Sequence, residues 1–409
     1  MAAKNLLYQR LILKHLYFGP SLSCAELSVL IKKSLPLTTK LVYELIEQGY
    51  VTERGFAAST GGRRPVTFSL KADVQYIVSV ALDQFVARIV IMDMHNQFVI
   101  NVEKFELRLH KNPEAVNILS NKISLVIKKS KIPVKKIIGI GIGMPGFVDA
   151  KKGVNYSFLK TTGKSLTEQI QEKIGVPVFI DNDSSLIALA EFRFGASRGK
   201  RNAMVINIGW GVGLGMILNG ELFRGNNGFA GEFSHIPLFL NGKLCSCGKR
   251  GCLETETSLL TIIDKAKEGL KSGRVSILEA SLLDHFEQAS EALITAAREG
   301  DQFVIELFSE AGYNIGRGVA ILIHVLNPEL IILSGRGSSA GKIWQAPIQQ
   351  ALNEHCIPRL AANTTIEMSS LGYDAELIGA AALVMENSEK ELIKPGLAVE
   401  SKNSKVLIN

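Results

Sequence analysis

Cysteine is scarce in this 409-residue chain, and the scarcity excludes a fold stapled by disulfides, because five cysteines cannot brace so long a sequence. Cys24 and Cys356 stand apart from the rest, as buried thiols in a reducing cytoplasm do. Long apolar runs are missing too. None reaches the roughly 20 residues that a membrane-spanning helix needs. The opening LLYQRLILKHLYF is broken by Gln9, Arg10, Lys14 and His15, which argues against a signal peptide. Acidic residues are thin in one region. Up to Gln75, five Asp and Glu face ten Lys and Arg, a net +5 of the chain's +7. So local a surplus predicts a small N-terminal unit with a polyanionic partner. Apolar residues are plentiful at 46%, enough for the cores of two or three domains.

The other three cysteines fall in one stretch, His235 to Glu254. Cys245, Cys247 and Cys252 are spaced C-x-C-x4-C, and His235 precedes them. Thiolates repel one another, and a zinc ion removes the repulsion by taking four N and S ligands in a tetrahedron. Gly248 and Gly251 let the loop wrap such an ion. A disulfide with a spare thiol is the other reading. Four protein ligands leave no open position, so the expected zinc is structural, one per chain.

In the basic N-terminal unit, Tyr8, Leu11, Ile12 and Leu16 recur at helical spacing and predict a helix over 5–17. Gly19-Pro20 ends it. Ser23 with Glu26 forms a capping-box pattern for a second helix to about Lys33. After a turn at 34–36, a third helix is predicted over 37–48, stopped by Gly49. Extended segments at 50–53 and 65–70 flank a loop with Gly61, Gly62, Arg63 and Arg64. Three helices and a two-stranded wing make a winged helix-turn-helix. Its third helix would carry Thr38, Thr39, Lys40 and Tyr43 into the major groove of double-stranded DNA. Arg63 and Arg64 would reach a phosphate or the minor groove. A winged helix used only as a protein-contact module is the alternative.

Downstream, the pattern predicts α/β structure. Strands are expected at 76–82, 85–93, 97–105, 136–144 and 176–180, with helices over 112–129 and 166–173 and from Asp183 to Glu191. Asp183, at a strand end and a helix start, can serve as a ligand contact or as a cap. Two further strands pair across the glycine-rich segment 209–215, which suits a phosphate cradle or a tight hairpin. Helical sequence continues to about Val325, then a strand at 327–335 and helices at 342–354 and 375–385. The expected domains are 1–72, 73–195 and 196–387, followed by a charged, loosely ordered tail, 388–409.

These residues resemble the ROK family (repressors, open reading frames and sugar kinases), in its repressor branch, over about Asn5 to Asn387. The resemblance rests on His235, Cys245, Cys247 and Cys252, GMPG at 143–146, Asn182-Asp183, GEFSH at 231–235 and STGGRRP at 59–65. It implies two actin-like, ribonuclease-H-like lobes behind the winged helix, with a ligand cleft between them. It also implies that Asn182, Asp183, Glu232, His235 and Glu254 contact sugar hydroxyls.

Several positions depart from the family's kinases. Their D-x-G-G-T-K phosphate loop corresponds to Ala81–Val86, where the acid, both glycines and the threonine are gone and Asp83 adds a negative charge. Their G-T-G loop is Gly209-Trp210-Gly211, and a later glycine pair is Ser334-Gly335-Arg336. A sugar-site asparagine corresponds to Phe158, and a glycine before the histidine to Ser234. Phosphoryl transfer depends on positioning and electrostatics, so such losses predict no kinase activity. The expectation is a cytoplasmic, non-enzymatic, sugar-responsive transcriptional regulator. It would bind operator DNA and a sugar or sugar phosphate, act as a homodimer or tetramer, and not insert in membranes. Two rivals remain: an ATP-dependent sugar kinase, and an interaction protein that answers to a transport-system partner instead of DNA.

Overall fold

The N-terminal 70 residues build three helices and a small sheet. The computed structural model describes residues 2–56, 64–161, 163–388 and 392–393. Helix α1 (Ala2–Phe18) starts earlier than its spacing suggests. Strand β1 (Leu22–Ser23) leads into α2 (Cys24–Leu30), where the capping box forms: Ser23 Oγ accepts from Glu26 N, and the Glu26 carboxylate accepts from Ser23 N at 2.7 Å. Helix α3 (Leu35–Glu47) takes Pro36 into its first turn, where a missing N–H costs nothing. Gly49, at φ +81°, then turns the chain into β2 (Val51–Phe56), which pairs with β3 (Val66–Leu70). The sheet order is β1-β3-β2. Arg63 lies outside the described residues.

The rest of the chain repeats one topology. The first lobe comprises β4 (Tyr76–Leu82), β5 (Val86–Asp93), β6 (Glu103–Glu106), α4 (Ala115–Ser130), β7 (Ile137–Met144), the short pair β8 (Val148–Asp149) and β9 (Val154–Asn155), α5 (Leu166–Ile174), β10 (Val178–Asn182) and α6 (Asp183–Phe194). The second comprises β11 (Ala203–Ile208), β12 (Val212–Leu218), β13 (Glu221–Phe223), α7 (Glu254–Thr257), α8 (Leu259–Lys271), α9 (Phe286–Arg298), α10 (Gln302–Leu326), β14 (Leu330–Ser334), α11 (Gln345–His355), α12 (Pro358–Ala361) and β15 (Thr365–Met368), and α13 (Ala375–Asn387) closes the chain. The sheets run β10-β7-β4-β5-β6 and β13-β12-β11-β14-β15. In each, the first strand pairs antiparallel with the second and parallel with the fourth. This is the expected pair of ribonuclease-H-like lobes.

Helix α13 corrects the expected domain boundary. It packs on β4, β7 and β10 of the first lobe rather than closing the second. Strand β7 explains why. Its glycines fall on one face, and a Cβ on Gly141 would lie 2.0 Å from the Ala380 carbonyl oxygen. A glycine stripe thus admits the helix backbone, while Ile140 and Ile142 enter the core on the other face. The predicted strand at 97–105 is shorter, only β6, and the edge strand β15 was not anticipated.

The winged helix shares a core with the first lobe. Ile12, Leu16 and Leu45 belong to one apolar cluster with Ile77, Ala381 and Met385. Lys14 is ion-paired with Glu386 at 3.0 Å. Leu392 and Ile393 are buried in this cluster, and Arg10 donates to the Ile393 carbonyl, so the start of the predicted loose tail is packed. The remaining tail lies outside the described residues.

Candidate functional site

The lobes enclose a cleft of about 470 Å³. Asn182, Asp183, Glu232, His235 and Glu254 all line it. Strand β10 ends at Asn182, which caps α6: its side-chain oxygen accepts from Ser184 N and Ser185 N at 3.0 and 3.2 Å. Its amide nitrogen donates to the Gly146 carbonyl. Much of this amide therefore holds the scaffold. Asp183 is the first helical residue and turns its carboxylate into the cleft, one oxygen accepting from Ser184 N at 2.7 Å and the other facing Asn207 Nδ2 at 3.4 Å. Burial raises its carboxyl to about 6 against the Ser184 hydrogen bonds, with the charges of Asp83 and Glu232 adding to the rise. Partial withdrawal from water also raises Glu232, which lies 3.6 Å from His235 Nε2. Glu254 presses on the loop after β11. A Cβ on Gly211 would sit 2.7 Å from its carboxylate, so glycine is required there for close approach. The arrangement offers several acceptors to hydroxyl groups, one of them poised near neutral pH.

Beside the cleft, His235, Cys245, Cys247 and Cys252 converge, their donor atoms all within 4.8 Å of one another. His235 Nδ1 is 3.6 Å from Cys245 Sγ, and the Cys247 and Cys252 sulfurs are 3.6 Å apart. No disulfide links them. Tetrahedral zinc with bonds near 2.3 Å places sulfurs roughly 3.8 Å apart, so the donor set fits that ion. Gly248, at φ +85°, turns the loop, and Cys245 N donates to the Lys249 carbonyl. Burial and the neighbouring sulfurs push Cys252 up to about 12, a repulsion that a divalent cation relieves. With Nδ1 toward the sulfurs, His235 presents Nε2 to Glu232, so a bound ion would fix the ring that faces the cleft.

Asp83, Trp210 and Arg336, read from the sequence as separate departures, meet at one place. Asp83 accepts from Phe85 N and Val86 N and, through its other oxygen, from Arg336 at 3.2 Å. The same guanidinium lies 2.5 Å from Glu287, over the rings of Trp210 and Tyr373, and is hydrogen-bonded to the Tyr373 hydroxyl. Phe85 stacks on Phe286 at 4.5 Å, and Lys104 pairs with Glu287. Despite burial, Arg336 and Lys104 hold Glu287 below the usual carboxylate range. Asp83, Phe85 and Lys104 come from the first lobe; Trp210, Phe286, Glu287 and Arg336 come from the second. The cluster is thus a clasp across the lobes. Phe286, Glu287 and Tyr373 carried no sequence signal, because each reaches the cluster only through long-range folding.

On the winged helix, Pro36, Lys40, Tyr43 and Glu47 form an exposed stripe along α3, with Thr39 half-buried beside it. Thr38 is a correction. It is fully buried with Leu41, Val42 and Leu45, and its hydroxyl donates to the Ser34 carbonyl, so it cannot meet a base edge. Arg64 is exposed, and Arg54, unforeseen, is exposed on β2 with its guanidinium on Ser69 and His95.

The ROK family profile matches residues 88–387. The chain belongs to the ROK family. It is similar to a xylose repressor of Caldicellulosiruptor bescii, 31% identical over 92% of this chain and 95% of the relative. A glucokinase of Halalkalibacterium halodurans is 34% identical but spans 70% of this chain against 89% of its own length. Among solved structures, a ROK family transcriptional regulator homologous to the E. coli MLC protein covers 95% of this chain and 98% of its own, at TM-score 0.76 and 26% identity. The repressor-type relatives thus span the N-terminal three-helix unit as well as both lobes, and this ROK chain has the two-lobed fold of the family.

Proposed function

We propose that this ROK protein is a sugar-responsive transcriptional repressor. It would bind operator DNA through α3 and the wing, and a sugar in the cleft between the lobes. One observation carries the reading: helix α13 joins the two sites. Its first turn places Glu376 in the cleft wall, and its last turn pairs Glu386 with Lys14 of α1. Thirteen helical residues span about 20 Å, so one rigid rod runs from sugar site to winged helix. A sugar that draws the lobes together would move α13 and with it the winged helix. In a dimer or tetramer, such movement changes half-site spacing and hence operator affinity. The full-length similarity to a xylose repressor supports the same reading.

Asp183 would accept from a sugar hydroxyl without proceeding to phosphoryl transfer, because the clasp occupies the region matched to the phosphate loops. Asp83 puts a carboxylate there, and Arg336, the cation that might meet a phosphate, is held by two acids. The zinc would be structural, held by His235, Cys245, Cys247 and Cys252, supplying no reaction. Among the described residues no helix is long and apolar enough to cross a membrane, which suits a cytoplasmic regulator. The test is a genomic selection with purified protein, together with an ATP-hydrolysis assay across a sugar panel. Recovery of discrete duplex sites without sugar-dependent hydrolysis supports the repressor. Sugar-stimulated ATP hydrolysis without site recovery overturns it.

A further inference from the structure

The cleft has two unlike kinds of lining. Asp183, Glu232 and Glu254 make one of them acidic. Among the described residues, the basic side chains lining the cleft are Arg336, His110 and His235. Arg336 is committed to Asp83 and Glu287, and His235 turns Nδ1 toward Cys245. A phosphorylated sugar would therefore bring two negative charges beside three carboxylates, with no guanidinium or ammonium available to meet them. The cleft also has an aromatic lining. Phe147 and Phe158 from the first lobe and Phe229 from the second line the cleft mouth. Phe147 is 42% exposed, and Tyr156 just behind it is 45% exposed. Phe229 makes T-shaped contacts with both, at 5.5 and 6.0 Å between ring centroids, so the three rings brace one another, and Phe147 keeps much of its surface uncovered. An exposed apolar patch bordered by polar groups marks a ligand groove.

We infer that the effector is an uncharged glycoside: its sugar ring meets the carboxylates, and a second sugar ring or an apolar aglycone rests on Phe147, Phe158 and Phe229. The inference deepens the sugar-responsive reading and rests on it. Pyranose rings carry hydroxyls around the rim and C–H groups on their faces, so a second ring and an aryl group offer the same apolar surface to the phenylalanines. Because Phe147 and Phe229 come from different lobes, a ligand that touches both also ties the lobes together.

The test is calorimetric titration of the full-length protein with four sets of probes. These are glucose, xylose and N-acetylglucosamine; the 6-phosphates of glucose and N-acetylglucosamine; cellobiose, xylobiose and chitobiose; and the 4-nitrophenyl glycosides of the three monosaccharides. At least one disaccharide or aryl glycoside should bind tenfold or more tightly than its own monosaccharide, and the phosphates should bind worst. Which of the two binds tighter identifies the source of the apolar surface. F147S should remove the advantage while leaving monosaccharide affinity intact. F147L, which keeps apolar volume but loses the ring face, should remove most of it and guards against a folding defect. A monosaccharide that binds as tightly as its glycosides, a phosphate that binds best, or an advantage that survives both substitutions overturns the inference and leaves the sugar-responsive reading standing. Binding of no probe at all overturns both.

Discussion

Glu376 shows how one buried group can make stability depend on pH. Burial raises its carboxyl to about 8, with Asp183 and Asp83 adding to the rise and Arg88, 3.6 Å away, opposing it. The folded protein therefore holds a proton that the unfolded chain releases near 4.5, so stability falls as pH rises through the window from 4.5 to 8. Glu376→Gln should flatten that decline, seen as denaturation midpoints that change less between pH 5 and 8 than in wild type. An equal decline in the variant would assign the pH dependence elsewhere. Cys247 offers a second residue-scale test. It is the exposed member of the four-ligand cluster. Cys247→Ala should lower bound zinc from one per chain to well below one and weaken the cleft wall at Glu254. Structural zinc contributes about 10–16 kcal/mol of apparent binding energy in small motifs, so loss of the ion should be visible as a lower melting temperature. Metal analysis of wild type showing no zinc would remove the premise. These ligands were legible in the sequence because their chemistry is local: four donors within 18 residues. Thr38 was misread because the residues near the start of α3 were assigned to DNA together, without setting their phase against Leu41, Val42 and Leu45. With the helix starting at Leu35, Thr38, Leu41, Val42 and Leu45 form the inward stripe.

Two helices, α3 and α13, link the residues to the proposed sites. On α3, Lys40 and Tyr43 face outward while Thr38 faces the core. Lys40→Ala should cost about 1–3 kcal/mol on the operator if it meets a base edge, and much less on random duplex. Thr38→Val should instead leave the ratio of operator to random affinity unchanged and lower stability, because it removes the hydroxyl bond to Ser34. Salt titrations of both duplexes with each variant separate the two outcomes. A wing contact would differ again. Loss of a phosphate contact at Arg64 should flatten the log–log salt slope by about 0.9 on both duplexes. Helix α13 was foreseen as an element but not in its place. Chain order assigned it to the second lobe, and the sign of its true partner was the glycine alternation at 139, 141 and 143. Alternation of that kind reads equally as a phosphate loop or as room for a helix. Only the 2.0 Å approach of Ala380 to a Cβ at Gly141 shows which applies.

For the whole molecule, hydrophobic periodicity made the α/β elements legible, while the pair of like lobes and the site residues between them came from the resemblance that the short motifs carry. The clasp was only half legible. Asp83, Trp210 and Arg336 were visible as losses of phosphate-binding residues, while their joint use as a bridge depends on Phe286, Glu287 and Tyr373, far away in sequence. Arg336→Ala leaves Asp83 and Glu287 without their shared cation and should loosen the lobes, read as faster proteolysis between them and a larger radius of gyration in scattering. An unchanged radius would show that the clasp adds nothing to closure.

We propose that coupling runs through one body, with the cleft and the winged helix as its two sites. It is tested most directly by titrating the selected operator duplex with wild type and with Asp183→Asn, each with and without the tightest-binding sugar. The sugar should shift wild-type operator affinity by about 5- to 150-fold, the usual range of allosteric coupling. Asp183→Asn should bind the operator as wild type does and no longer respond. A variant that still responds in full, or a wild-type protein whose operator affinity the sugar leaves unchanged, would contradict it.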